Sequence, residues 1–200
     1  MAIGRINASL SGVQPGGLAK IVPTSVAVGS GSGSVDSNGN VTFSGASSVS
    51  LNGCFSSSYE NYRVVVRVTN NSADTDLFIR LRNTSNTDIT ANYYFGGYYS
   101  RVDNLGAGTW NGNNVSYWHI GSMDIGNTVY SNSVSFDLYN PNTSTYNKTM
   151  GMVGVGQLQT GSMFGIYIGG SLLDTTVCNG ISLISTAGNI GGTIRIYGYN

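Results

Sequence analysis

YRVVVRVT, residues 62–69, alternates without a break: Val64, Val66 and Val68 fall on one side of an extended chain, and Arg63, Val65 and Arg67 on the other. β-Branched residues at a period of two read as a strand with one face buried. The next such segment, residues 76–82, sets Leu77, Ile79 and Leu81 against Phe78, Arg80 and Arg82. If the two pair through a turn at 70–75, Arg63, Arg67, Arg80 and Arg82 share one face. Such a guanidinium ladder must meet carboxylates, aromatic faces or another subunit. Further short segments of this kind are expected at 92–100, 115–120, 133–139, 149–155, 163–168, 181–185 and 193–199, each closed by Asn, Gly, Ser or Asp. Repeated short strands with turn signals between them, and no helical periodicity, predict an all-β fold. Its expected form is an antiparallel β-sandwich of jelly-roll type, preceded by an extended N-terminal arm.

Composition points the same way. The 200 residues include 29 Gly, 27 Ser, 22 Asn and 17 Thr, all poor helix formers, beside 13 Tyr that suit a pleated surface. Only 9% of residues are charged and the formal net charge is zero, so the electrostatic footprint of a nucleic-acid or anionic-membrane partner is missing. With 40% hydrophobic residues the chain can still build a core, and one large β-domain is expected. No apolar run approaches the roughly 20 residues of a membrane helix, so no membrane insertion is expected. No secretion signal is readable in the first 20 residues, which implies assembly in the cytoplasm. In that compartment Cys54 and Cys178 are expected as two buried thiols.

Three regions follow: an arm at 1–28, a Gly/Ser-rich linker with a small hairpin at 29–44, and the sandwich at 45–200. The arm holds two of the three prolines and shows no sustained alternation. Its apolar beads Ile3, Ile6, Leu10, Val13, Leu18, Ile21 and Val22 suit docking on a partner particle better than self-burial. Deleting 1–28 is therefore expected to leave the sandwich folded. In the linker, Asn38-Gly39 between Val35 and Val41 is a hairpin signal, because a primed turn needs the positive φ that Asn and Gly tolerate. Asp36, Asn38 and Asn40 resemble alternate calcium ligands, but glycine falls at the fourth place of the loop, not the sixth, and position twelve is Ser47.

Catalytic groups are sparse. His119 is the sole histidine, with Asp124 as a conceivable orienter, yet no GxSxG elbow selects a serine. One His and two separated Cys cannot close a zinc site, and the glycines at 151, 154 and 156 lack the Lys-Ser/Thr of a phosphate loop. No metal, cofactor or enzymatic activity is expected. The aromatic run ANYYFGGYYS (91–100), followed by Trp110 in LGAGTWNGNN (105–114), is the richer cluster. Tyr98, Tyr99, Trp110 and Asn111 are the candidates for stacking on and hydrogen-bonding a glycan. The favoured account of the same aromatics is that alternate members fill the core and the rest line a subunit interface, with Trp110 and its loop the best candidate for an exposed contact.

The stretch SVSLNGCFSSSYENYRVVVRV (48–68) resembles a segment of virion structural and tail-fibre-like proteins of tailed bacteriophages. LFIRLRN (77–83), the Asn-Tyr-Tyr at 92–94 and the terminal TIRIYGYN (193–200) extend the resemblance across most of 45–200. It implies a non-enzymatic virion component, a short tail fibre whose arm attaches to the tail and whose sandwich contacts the host surface. A capsid decoration or head fibre docked by the same arm is the alternative. The implied partners are copies of itself, first of all as a trimer, other virion proteins and a host surface glycan. A free carbohydrate-binding module and a polysaccharide depolymerase are the rivals from other classes.

Overall fold

The computed structural model describes residues 17–101, 106–123, 132–157 and 163–200. Its strands are β1 (Ala19–Ile21), β2 (Ser25–Val28), β3 (Ser32–Val35), β4 (Val41–Ala46), β5 (Ser48–Asn52), β6 (Asn61–Asn71), β7 (Thr75–Asn83) and β8 (Tyr93–Arg101). There follow β9 (Ala107–Val115), β10 (Trp118–Met123), β11 (Asn132–Tyr139), β12 (Lys148–Gln157), β13 (Met163–Leu172), β14 (Cys178–Ser185) and β15 (Ile190–Tyr199). All pairings between them are antiparallel. One sheet runs β3-β4-β15-β6-β11-β12-β13-β8-β9, with β1 added to β15; the other runs β10-β7-β14-β5-β2.

Inside this arrangement lies a jelly roll. Strands β4-β15-β6-β11 and β5-β14-β7-β10 face each other as two four-stranded sheets, and the chain crosses between them at each of β4–β5, β6–β7, β10–β11 and β14–β15. Two hairpin insertions, β8–β9 and β12–β13, widen the first sheet beyond the second. Between the layers the alternating residues form one core, in which Val64, Val66, Leu77, Ile79, Leu81 and Phe136 are all at most 1% exposed.

Four sequence expectations are corrected. β6 and β7 do not pair: residues between them carry the chain from one sheet to the other, so no four-arginine ladder exists. Arg63 instead makes a two-pronged pair with Asp137 on β11, at 2.9 and 2.7 Å, while Arg82 bonds Asp88 at 2.6 Å. Second, residues 19–28 are part of the sandwich. β4 pairs with β15 as far as Ile194, and β1 takes over the same edge at Ile196–Gly198, supplying backbone partners that the last strand otherwise lacks. Buried Pro23 separates β1 from β2, which joins the second sheet beside β5. Ile21 therefore packs against the core of its own chain and Leu18 lies exposed just before it; Ile3, Ile6, Leu10 and Val13 lie outside the described residues.

Third, the Gly/Ser run is a tight connection. Gly31, at φ 69°, lies against the backbone of Ser44 and Gly45, and Ser30 Oγ donates to Gly45 O and accepts from Ser47 N. The hairpin is present as β3–β4, but its loop spans 36–40, and only Gly39 takes the positive φ. The Asp36 carboxylate accepts from Asn38 N, Asn40 N and Asn40 Nδ2, a local use that closes the turn. Fourth, the strand expected at 115–120 is divided: Val115 ends β9, Trp118 begins β10, and the glycine-rich "loop" around Trp110 is itself strand β9. Cys54 and Cys178 are, as expected, free and buried.

Candidate functional site

Alternation along β8 sorts its aromatics. Tyr93 is fully buried, its ring perpendicular to that of Trp118 at 5.1 Å, while Tyr98 points to the outer face and is 57% exposed. Tyr99 falls on the inner side with Phe95, and on β9 the cross-strand register gives Trp110 the same side. Past the edge of the second sheet this hairpin folds against β10, which brings the Trp110 ring to 4.3 Å from His119. The rings of Tyr99 and Trp110 lie 4.9 Å apart, inclined by 36°, and Phe164 on β13 meets Trp110 edge-on at 6.4 Å.

Together Tyr99, Arg101, Trp110, Ser122 and Phe164 line an open cleft of about 210 Å³. Of the four glycan candidates, Trp110 and Tyr99 are in it; Tyr98 and Asn111 project from the other side of the sheet and belong to a different surface. Arg101, Ser122 and Phe164 escaped the sequence reading. Arg101 continues the inward positions of β8, and Phe164 opposes it in the β13 register, so both were findable once the strand phase was fixed.

Beneath the cleft, His119 is 7% exposed, its Nε2 lies 3.4 Å from Asp76 Oδ1, and that nitrogen makes no hydrogen bond. Ser122 Oγ donates to the same Asp76 oxygen. The imidazole beside it holds the Asp76 carboxyl below its ordinary value against the opposing effect of burial, and the Ser122 hydroxyl adds to the lowering. These three residue types make a hydrolase only when the imidazole stands between hydroxyl and carboxylate. Here the carboxylate stands between: the Ser122 hydroxyl is bonded to Asp76 and not to the imidazole, so the serine–histidine–aspartate order is not present. Asp124 lies outside the described residues. Among the described residues no group of three or more His, Cys, Asp or Glu could hold a metal ion. What the cleft offers is a pair of aromatic faces with a guanidinium and a hydroxyl at the rim, suited to stacking a flat apolar ring face and bonding its polar edge.

The motifs that carry the phage resemblance lie elsewhere and serve the scaffold. Tyr62 OH donates to Ser56 O and accepts from Ser56 N, closing the corner between β5 and β6, and Phe55 tilts onto its ring at 4.7 Å. Tyr59 lies across Gly198, where any Cβ would collide with the ring, and Glu60 N donates to Asn200 Oδ1 at 2.9 Å. The 48–68 and 193–200 motifs are thus one packed unit. Compared with family models, curated proteins and solved structures, the chain matches none. No helix among the described residues is long and apolar enough to cross a membrane.

Proposed function

We propose that the protein is a non-enzymatic structural component of a tailed-bacteriophage virion, a short tail fibre held by its N-terminal segment and meeting a host surface glycan through the Trp110 cleft. The observation that carries this reading is the placement of the two ends. The described chain joins the sandwich at Ala19, opposite Gly198. The cleft lies toward the far edge of the same sheet: two residues (Trp110) to six (Arg101, Phe164) along the strands, or ~7–20 Å, and five to seven strand spacings across, or ~24–34 Å. A segment anchored at the first corner leaves the cleft facing away from its mount. The neutral, Asn/Ser/Thr-rich surface and the phage-like motifs support the same reading.

Antibody against residues 45–200, applied to intact particles and viewed by electron microscopy, tests it. Label at the tail is the expected result, with Trp110→Ala particles still labelled but no longer competed from cells by host glycan. Label over the head would replace the fibre by a capsid decoration, and unlabelled particles would overturn the virion assignment.

A further inference from the structure

The outer face of the β12, β13 and β8 extension carries no charged side chain and has a definite relief. Val153, Tyr167 and Tyr98 stand side by side across the three strands as a ridge, 57%, 53% and 57% exposed, with the two tyrosine rings 5.8 Å apart. Two residues along each strand, Gly151, Gly169 and Gly96 are likewise in register and form a trough. A Cβ at any of these three glycines would meet nothing within 4 Å, and none has a positive φ, so neither packing nor backbone conformation within the chain requires glycine there. Glycine inside a strand weakens it, and where the chain's own structure does not demand it, close approach of another surface does.

We propose that this face is an interface with a second copy of the chain, paired about a two-fold axis that lies in the interface parallel to the ridge and midway between ridge and trough. That rotation sets the ridge of each copy over the trough of the other, Val153 on Gly151, Tyr167 on Gly169 and Tyr98 on Gly96. Contact i-to-j is matched by j-to-i, the requirement of a closed isologous pair. A depression of about 350 Å³ beside Gly151, Asp137 and Tyr167 receives the opposing Val153. The occupant is a second copy on two further grounds. The face itself carries no charge, and Arg63 and Asp137, which border it at the depression, neutralise each other at 2.7 Å, so nothing repels its own image. Its extent adds to this: the four strands β12, β13, β8 and β9 at ~4.8 Å and seven residues at ~3.4 Å give an uncharged footprint on the order of 450 Å² before side-chain relief, over half of the roughly 800 Å² per partner of stable interfaces.

The test uses the full chain. Sedimentation and native mass spectrometry are expected to give a dimer, converted to monomer by Val153→Lys with Tyr167→Lys through at least a 100-fold rise in Kd. Tyr146→Lys, at an exposed site away from this face, leaves the dimer intact. An unchanged thermal transition separates lost association from lost folding. Should the double lysine variant not fold, cross-linking decides independently: a Tyr167→Cys chain mixed with a Gly169→Cys chain is expected to give an intermolecular disulfide that neither forms alone. A monomer at all concentrations, or a trimer without the mixed disulfide, would overturn the pairing. Nothing in it depends on a virion, so unlabelled particles with a dimeric protein, or labelled particles with a monomeric one, tell the two proposals apart.

Discussion

Tyr62 is fully buried, and burial raises the pKa of its hydroxyl, so the group stays a neutral donor and acceptor serving the Ser56 backbone. Tyr62→Phe leaves a peptide N–H and C=O at this corner without their partner and is expected to lower stability by about 1–2 kcal/mol, read from the urea midpoint. The thiols behave in the opposite sense to a reactive site: burial pushes both Cys54 and Cys178 up to about 12. At pH 8 neither should react with a disulfide reagent on the native protein, and both should react at once in denaturant. Asp76 supplies the acid-side prediction. Its folded pKa lies below the ordinary 3.8, so its contribution is present in full above that value and is lost as pH falls through the folded one. Asp76→Asn should therefore be less stable than the parent at pH 7, and the gap should narrow at pH 3.

Strand β9 shows where reading from residues alone stops. LGAGTWNGNN looks like a loop because glycine and asparagine are turn formers, yet Gly108 and Gly112 sit inside β9 beneath the rings of Tyr99 and Phe95. Gly156 under Phe164, its partner across the β12–β13 register, repeats the arrangement. The glycines are seats for cross-strand aromatics, and a pairing partner many residues away cannot be seen in a local window. The same blindness produced the arginine ladder. Alternation fixed the faces of 62–69 and 76–82 correctly but says nothing about which sheet each joins. It did suffice for the sandwich, whereas Tyr98, Tyr99, Trp110 and Asn111 are grouped only by proximity in sequence, and the two-residue period divides them, Tyr99 and Trp110 to one face and Tyr98 and Asn111 to the other. Gly108→Val is expected to cost about 1–3 kcal/mol by driving Tyr99 from its seat. It should also shift the Trp110 emission, because the two rings are in contact.

The jelly roll is closed by its first and last strands, which makes the N-terminal boundary a matter of energetics as well as attachment. Removing residues 1–28 strips β1 from β15 and β2 from β5, exposing two edges and deleting Ile21, Val26 and Val28, which pack against the core. All three are half-buried, so each contributes about half of the 1.5–3 kcal/mol of a fully buried aliphatic side chain, together still a sizeable part of the 5–15 kcal/mol that holds a typical domain together. Removing residues 1–16 touches neither strand. The shorter truncation should therefore keep the parent's thermal transition and lose incorporation into particles, if attachment resides ahead of β1. The longer one should melt many degrees lower or fail to fold, so its absence from particles would carry no information about docking. Thermal unfolding of the two truncations, followed by particle incorporation of the shorter, separates anchoring from folding. A Δ1–16 chain that incorporates normally would place the attachment surface within the sandwich itself.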